Sequence, residues 1–150
     1  MKTELKKVNV QNIHPELKVK KKTIQLLTKH VLTSEKTDSS VDVILVDDKF
    51  MRRLNKKFTN KDKTTDVLSF GMREDKSDAI EYPSLGDIYV SLDQAKRQAV
   101  EYKIGFEEEV ARLVTHGLLH LLGYDHASKK EETIMRKKEE GYLEKLLESS

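Results

Sequence analysis

The sequence predicts an α+β fold, a small four-stranded mixed sheet covered by several helices. Two observations predict it. Short runs rich in β-branched residues stand apart from one another, the clearest being Val41-Asp42-Val43-Ile44-Leu45-Val46. Between them lie longer stretches whose apolar residues fall three and four apart and whose ends carry helix start and stop signals. With 150 residues, 37% hydrophobic and 36% charged, a domain of this length buries roughly 68–70% of the surface of its unfolded chain and needs no staples. There are two prolines and no Gly/Ser-rich linker or repeat, so residues 1–150 read as one domain.

Residues 4–10 alternate as a short strand carrying Leu5, Val8 and Val10. Pro15 suits the first turn of a helix, where its missing N–H costs nothing, and that helix is expected to bury Leu17, Ile24, Leu27 and Val31. The run 41–46 is nearly continuous in apolar character, as an interior strand requires. Asp47 and Asp48 then cap a basic helix whose buried side holds Phe50, Met51, Leu54 and Phe58. After a loop at 60–63, Asp66–Phe70 reads as a third strand, and residues 71–85 as polar and irregular. Gly86–Val90 reads as the fourth strand. Ser91 with Gln94 forms a capping-box pattern opening a helix through Ala95 and Ala99. Gly105 precedes Glu107, Glu108 and Glu109, carboxylates in a first turn where the helix dipole favours them. Val110, Leu113, Val114, Gly117, Leu118 and Leu121 follow on its apolar side, and Gly123 ends it with a left-handed cap. Ser128 and Glu131 open a last helix lined by Ile134, Met135, Tyr142 and Leu146.

Composition excludes several classes. With no cysteine, disulfide scaffolds, thiolate zinc sites and cysteine nucleophiles are ruled out. No apolar run approaches the roughly 18 residues of a membrane span, and no apolar stretch follows the charged N-terminus as in a signal peptide. A cytoplasmic protein with no membrane partner is expected. The formal charge of +2 hides an asymmetry: residues 1–30 hold eight lysines against two glutamates, and residues 49–63 hold seven basic residues against Asp62. A basic cluster of this kind is either a footprint for a polyanion or an ordinary solvated helix face.

The chemistry concentrates in His116-Gly-Leu-Leu-His120-Leu-Leu-Gly-Tyr-Asp-His126. His116 and His120, four apart on a helix, project from one face. Gly123 lets the chain turn back and bring His126 toward them. Three neutral imidazoles suit Zn²⁺ at about 2.0–2.1 Å each, with a fourth position for water. The reading is a metzincin-like three-histidine metal site at the end of a central helix, made of His116, His120 and His126. The spacing equals that of the metzincin proteases, but Gly117 stands where those enzymes keep their general-base Glu. That substitution, with the cytosolic composition, counts against a peptidase. His14 and His30 stand alone and are expected to be structural.

The same motif resembles the signature of the bacterial YbeY family of metal-dependent endoribonucleases. Leu54-Asn55, Thr65-Asp66-Val67-Leu68-Ser69-Phe70 and Leu85-Gly86-Asp87-Ile88 match as well. The resemblance implies an α+β fold with the histidines in a cleft and one Zn²⁺ ion. It also implies single-strand-specific cleavage in ribosomal RNA processing, at the 3′ end of the small-subunit rRNA, and in ribosome quality control. Small-subunit ribosomal proteins and an assembly GTPase are the implied further partners. Two positions depart from the pattern: Thr59 stands where the family has arginine, and Gly71 where it usually has proline. The first removes a cation from the implied RNA-binding cleft.

A His₃-bound metal lowers the pKa of water from about 15.7 to about 7, which suits RNA hydrolysis. Asp125 is the candidate catalytic residue, able to orient a histidine N–H or relay a proton, or simply to cap a turn. Arg52, Arg53, Lys56, Lys57 and Lys61 are the candidates for holding the phosphate backbone. Tyr89 and Tyr124 can stack bases, though ordinary packing is the better explanation for both. The alternatives are a non-catalytic ribosome-assembly factor with a structural metal and, further off, a metallopeptidase.

Overall fold

A computed structural model of the chain describes residues 8–71, 84–125 and 127–149. Leu5, Pro83, His126 and most of the irregular 71–85 segment lie outside the described residues. The elements run β1 (Val8–Asn12), α1 (Lys21–Ser34), β2 (Ser40–Val46), α2 (Asp48–Thr59), β3 (Val67–Gly71), β4 (Ser84–Ser91), α3 (Leu92–Tyr102), α4 (Phe106–Leu121) and α5 (Lys129–Ser149). The fold is α+β, with one four-stranded mixed sheet in the order β1-β2-β4-β3. The β1/β2 and β2/β4 pairings are parallel, and β3 closes the edge antiparallel to β4.

Alternation along the strands gives the sheet two different faces. Val41, Val43, Leu45, Ile88 and Val90 are buried in the main core with Ile24, Leu27 and Val31 of α1 and Val110, Leu113, Val114 and Leu118 of α4. The intervening residues point the other way. There Tyr89 stacks on Phe50 of α2, with ring centroids 6.1 Å apart, and meets Phe70 edge-on at 5.9 Å. So α2 lies on one face of the sheet and α4 on the other. Between β3 and β4, Gly86 has φ of +144°, and a Cβ there would lie 2.2 Å from the Phe70 carbonyl oxygen. Glycine is what lets the edge strand pair at that point.

Several boundaries differ from the sequence reading, for physical reasons. Pro15 and Leu17 precede α1 rather than opening it. The Nδ1 atom of His14 accepts hydrogen bonds from the backbone N–H of Glu16 and Leu17, and Asn12 donates to the Leu17 carbonyl. His14 thus holds two N–H groups in the manner of a cap, but Asn12 takes the Leu17 carbonyl that a continuing helix would need, and Leu17 packs half-buried against the core from a turn. On α2, Asp47 caps as expected, accepting from the Phe50 N–H at 2.9 Å. However, Phe58 is 56% exposed, and Asn55 takes a buried position instead, donating to the Lys63 carbonyl. On α5, Ile134 is exposed, and the buried seam runs through Met135, Glu139 and Tyr142. A glutamate in an apolar stripe is costly unless paired, and Glu139 has a partner on α4.

Candidate metal centre

Helix α4 carries the site. Its C-terminal end is a full Schellman motif: Gly123, at φ of +106°, donates its N–H to the His120 carbonyl, and Tyr124 donates to the Leu119 carbonyl. Upstream, Arg112, His116 and His120 stand four apart on one helix face. They line a cleft of about 430 Å³ whose opposite wall is Asp66, Val67, Leu68 and Ser69, at the start of the edge strand. The helix approaches that wall closely at Gly117. A Cβ on Gly117 would lie 2.9 Å from both Ile88 Cγ2 and Ser69 Oγ, and Ser69 Oγ donates to the Gly117 carbonyl. The position that holds a general-base glutamate in the metzincins is packed shut here.

His116 has a defined orientation. Its Nδ1–H donates to Oε2 of Glu139 on α5, a carboxylate that is itself nearly buried. A carboxylate on Nδ1 fixes the tautomer in which Nε2 carries the lone pair, the form in which a histidine ligates a metal. One turn before Arg112, Glu109 is fully buried. It accepts from Nε and Nη2 of Arg112 at 2.8 Å each and from Gln98 at 2.6 Å. Those hydrogen bonds, ahead of an opposing desolvation, hold the Arg112 guanidinium above its already high ordinary pKa.

The structure brings together only part of the predicted site. His116 and His120 share the cleft; His126 lies outside the described residues. Among the described residues, no group of three or more His, Asp or Glu side chains is placed to hold a metal ion. Asp125 is exposed on the turn after Gly123, and the described residues lining the cleft do not include it. Arg52, Arg53, Lys56, Lys57 and Lys61 are all exposed, on α2 and its following loop, and none of them lines the cleft. Arg52 is engaged by Asp62 at 2.8 Å, and Lys57 lies 5.4 Å over the Phe58 ring.

Tyr89 is packed between Phe50 and Phe70, and Tyr124 donates to Glu35, so neither tyrosine is placed as a base platform. His14 donates from Nε2 to Asp93 at 3.0 Å, and His30 lies edge-on to Tyr142; both are structural, as expected. Sequence reading missed Arg112, Glu109 and Glu139. The signal for Arg112 was its place one turn before His116; for Glu139 it was an acid at helical spacing between Met135 and Tyr142.

Comparison with known proteins agrees with this architecture. A model of the family described as "Endoribonuclease YbeY" matches residues 7–147. The chain belongs to the YbeY family. The YbeY endoribonuclease of Desulforamulus reducens is 43% identical over 147 residues, covering 93% of this chain and 96% of that protein. That of Carboxydothermus hydrogenoformans is 40% identical over 140 residues, covering 91% and 95%. In three dimensions, the solution structure of a Thermotoga maritima protein superposes with a TM-score of 0.69 at 31% identity, over 95% of this chain and 90% of that one. Among the described residues, no helix is long and apolar enough to cross a membrane.

Proposed function

We infer that this chain is a metal-dependent endoribonuclease that cuts single-stranded segments of ribosomal RNA, with His116, His120 and His126 as ligands to one Zn²⁺ ion. The reading extends to 3′-end maturation of the small-subunit rRNA and to ribosome quality control. One observation carries it: in a YbeY-family chain, two histidines a turn apart line one cleft, and a buried carboxylate fixes the tautomer of the first. The donor set fits a divalent ion, since both imidazoles ligate when neutral and the Glu139 contact favours the ligating tautomer of His116. When bound, the ion supplies Lewis acidity toward water and phosphoryl oxygen near neutral pH.

The chain's own residues do the rest. Glu139 holds the His116 ring in place. Leu113, together with Val67 and Leu68 opposite, gives the cleft apolar walls, which strengthen electrostatic interactions inside it. The cations of α2 supply attraction for the RNA backbone from outside the cleft. A peptidase role is disfavoured by the packing around Gly117.

The test is to incubate zinc-loaded protein with structured rRNA and with casein, each with and without chelator. Chelator-sensitive RNA cleavage with casein intact is the expected result. Tight RNA binding without cleavage at any metal loading would instead mark an assembly factor, and the nuclease reading would fall.

A further inference from the structure

The cleft holds one lysine or arginine among its described lining residues, Arg112, and that side chain is unusually constrained. Its stem is half-buried. Glu109, wholly removed from solvent, takes two of the guanidinium's five donors, at Nε and Nη2. Gln98 holds Glu109 from the other side, and the Tyr102 ring lies 5.7 Å from the guanidinium carbon. The remaining donors belong to a fork that is already oriented, so little rotamer entropy is left to lose on binding. Arg112 stands one helical turn, about 6 Å of axial rise, before His116 and on the same face. The basic residues of α2, by contrast, do not line the cleft.

The geometry points to Arg112 as the phosphate-contact residue of the cleft, with Glu109 as the positioning residue that aims it. This rests on the endoribonuclease reading and adds to it a specific group for the scissile or adjacent phosphate. A planar, permanently charged fork matches a phosphate bidentately, and it is most effective where charge develops during reaction. The conspicuous basic stretch on α2 then contributes attraction, and Arg112 contributes rate. Thr59 carries no charge to compete, and its hydroxyl is turned back onto Asn55.

The experiment uses full-length, zinc-loaded protein and a single-stranded RNA. Removing Arg112 alone strands a buried carboxylate, which is strongly destabilising. The informative variants are therefore Arg112→Lys, which keeps a charge for Glu109, and the double variant Glu109→Gln with Arg112→Gln, which removes both charges. Four quantities are read: thermal unfolding, zinc stoichiometry, equilibrium RNA affinity of metal-stripped protein across about 50–200 mM salt, and single-turnover cleavage.

The double variant should fold, keep its zinc, and cleave about 100-fold more slowly. Its RNA affinity should fall far less, with the salt slope shallower by about 0.7, one phosphate on a single strand. Arg112→Lys should restore the slope but not the rate. A folded double variant with wild-type cleavage and wild-type slope overturns the proposal, leaving Arg112 as the partner of Glu109 and nothing more. If the double variant does not fold, Arg112→Lys decides alone, and a wild-type rate overturns the proposal. If wild-type protein cleaves no RNA, the nuclease reading fails separately, and the affinity arm still decides whether Arg112 touches phosphate.

Discussion

The Nδ1 atom of His116 donates to the Glu139 carboxylate across the packing of α5 on α4. This hydrogen bond ties the proposed ligand to a helix that begins after the histidine motif has ended. Outer-sphere carboxylates of this kind raise ligand basicity and fix ring orientation, and their removal typically costs 10–100-fold in metal affinity. Glu139→Gln keeps the shape and an acceptor but removes the charge. It should weaken zinc binding by about tenfold, and Glu139→Ala by more, both measured by competition with a chromophoric chelator. Equal zinc affinity in all three proteins would reduce Glu139 to a packing residue.

Lys56 and Lys57 are exposed on α2 and are not among the described residues that line the cleft, so their effect should fall on binding and not on chemistry. Charge reversal at Lys56 and Lys57 should lower RNA affinity and flatten its salt dependence, by about 0.7 in slope for each phosphate no longer neutralised. Zinc content and the single-turnover rate at saturating protein should stay near wild type. A large drop in rate at saturation would mean that α2 reaches the reacting phosphate.

Gly117 sets two effects against each other. Alanine is preferred over glycine in a helix interior by about 1 kcal/mol. Its Cβ, however, would lie 2.9 Å from Ile88 Cγ2 and Ser69 Oγ, and overpacking of this kind typically costs about 1–3 kcal/mol. The clash should win. Gly117→Ala is expected to be less stable by about 1 kcal/mol in denaturant titration, and Gly117→Glu should not acquire casein cleavage. A more stable alanine variant would show that α4 can slide away from β3.

How much of this was legible in the sequence depends on the range of the interaction. The strand 41–46, the Asp47 cap, the Ser91 cap and the Gly123 stop were readable because each rests on neighbours in the chain, and the described structure contains them all. His116 and His120 were readable for the same reason, since helical spacing alone puts them on one face. Ile134 and Phe58 were misplaced because periodicity gives a stripe without saying which edge of it is covered. The burial of Asn55 and Glu139 depends on partners 8 and 23 residues away, and no local pattern encodes those. The Arg112–Glu109–Gln98 chain was missed because a charged i, i+3 pair usually marks a surface. Here the glutamate is at the bottom of the helix packing, which only tertiary structure reveals.

Glu35 makes stability depend on pH. It sits just past α1 and accepts from the hydroxyls of Tyr124 and Tyr142 and from Lys138 at 3.0 Å. Burial alone would push its carboxyl up, but the bonds from Tyr142, Lys138 and Tyr124 outweigh that and hold it below the ordinary value of 4.5. A depressed carboxyl pKa stabilises the fold above the unfolded value and loses that contribution as pH falls through the folded one. Glu35→Gln should therefore cost about 2 kcal/mol near neutral pH, the scale of a hydrogen bond to a charged group. The gap from wild type should close as pH drops below 4.5. The Tyr142 hydroxyl, pushed up to about 12 first by burial and then by Glu35, remains a donor across this range. A gap that stays constant from neutral pH to acid would mean that the Glu35 charge contributes nothing.

Thr59 is where the chain leaves the arginine of its family, and its hydroxyl is already engaged. Oγ1 lies 2.6 Å from Oδ1 of the buried Asn55 and 2.8 Å from the Asn55 carbonyl, while Asn55 holds the loop after α2 through the Lys63 carbonyl. Removing the hydroxyl leaves Asn55 Oδ1 short of a donor, at a cost of about 1 kcal/mol or somewhat more. Both Thr59→Val and Thr59→Arg should show that cost in denaturant titration. They should part on activity. Valine adds no charge, so its single-turnover rate should match wild type, whereas arginine adds a second phosphate fork on the segment that leads into the cleft wall at Asp66. Thr59→Arg should speed cleavage more than it tightens binding, because a charged group acts most on the phosphoryl group as charge develops there. Measured at two salt concentrations, a variant that only binds more tightly would place position 59 on the path of the RNA but away from the reacting phosphate.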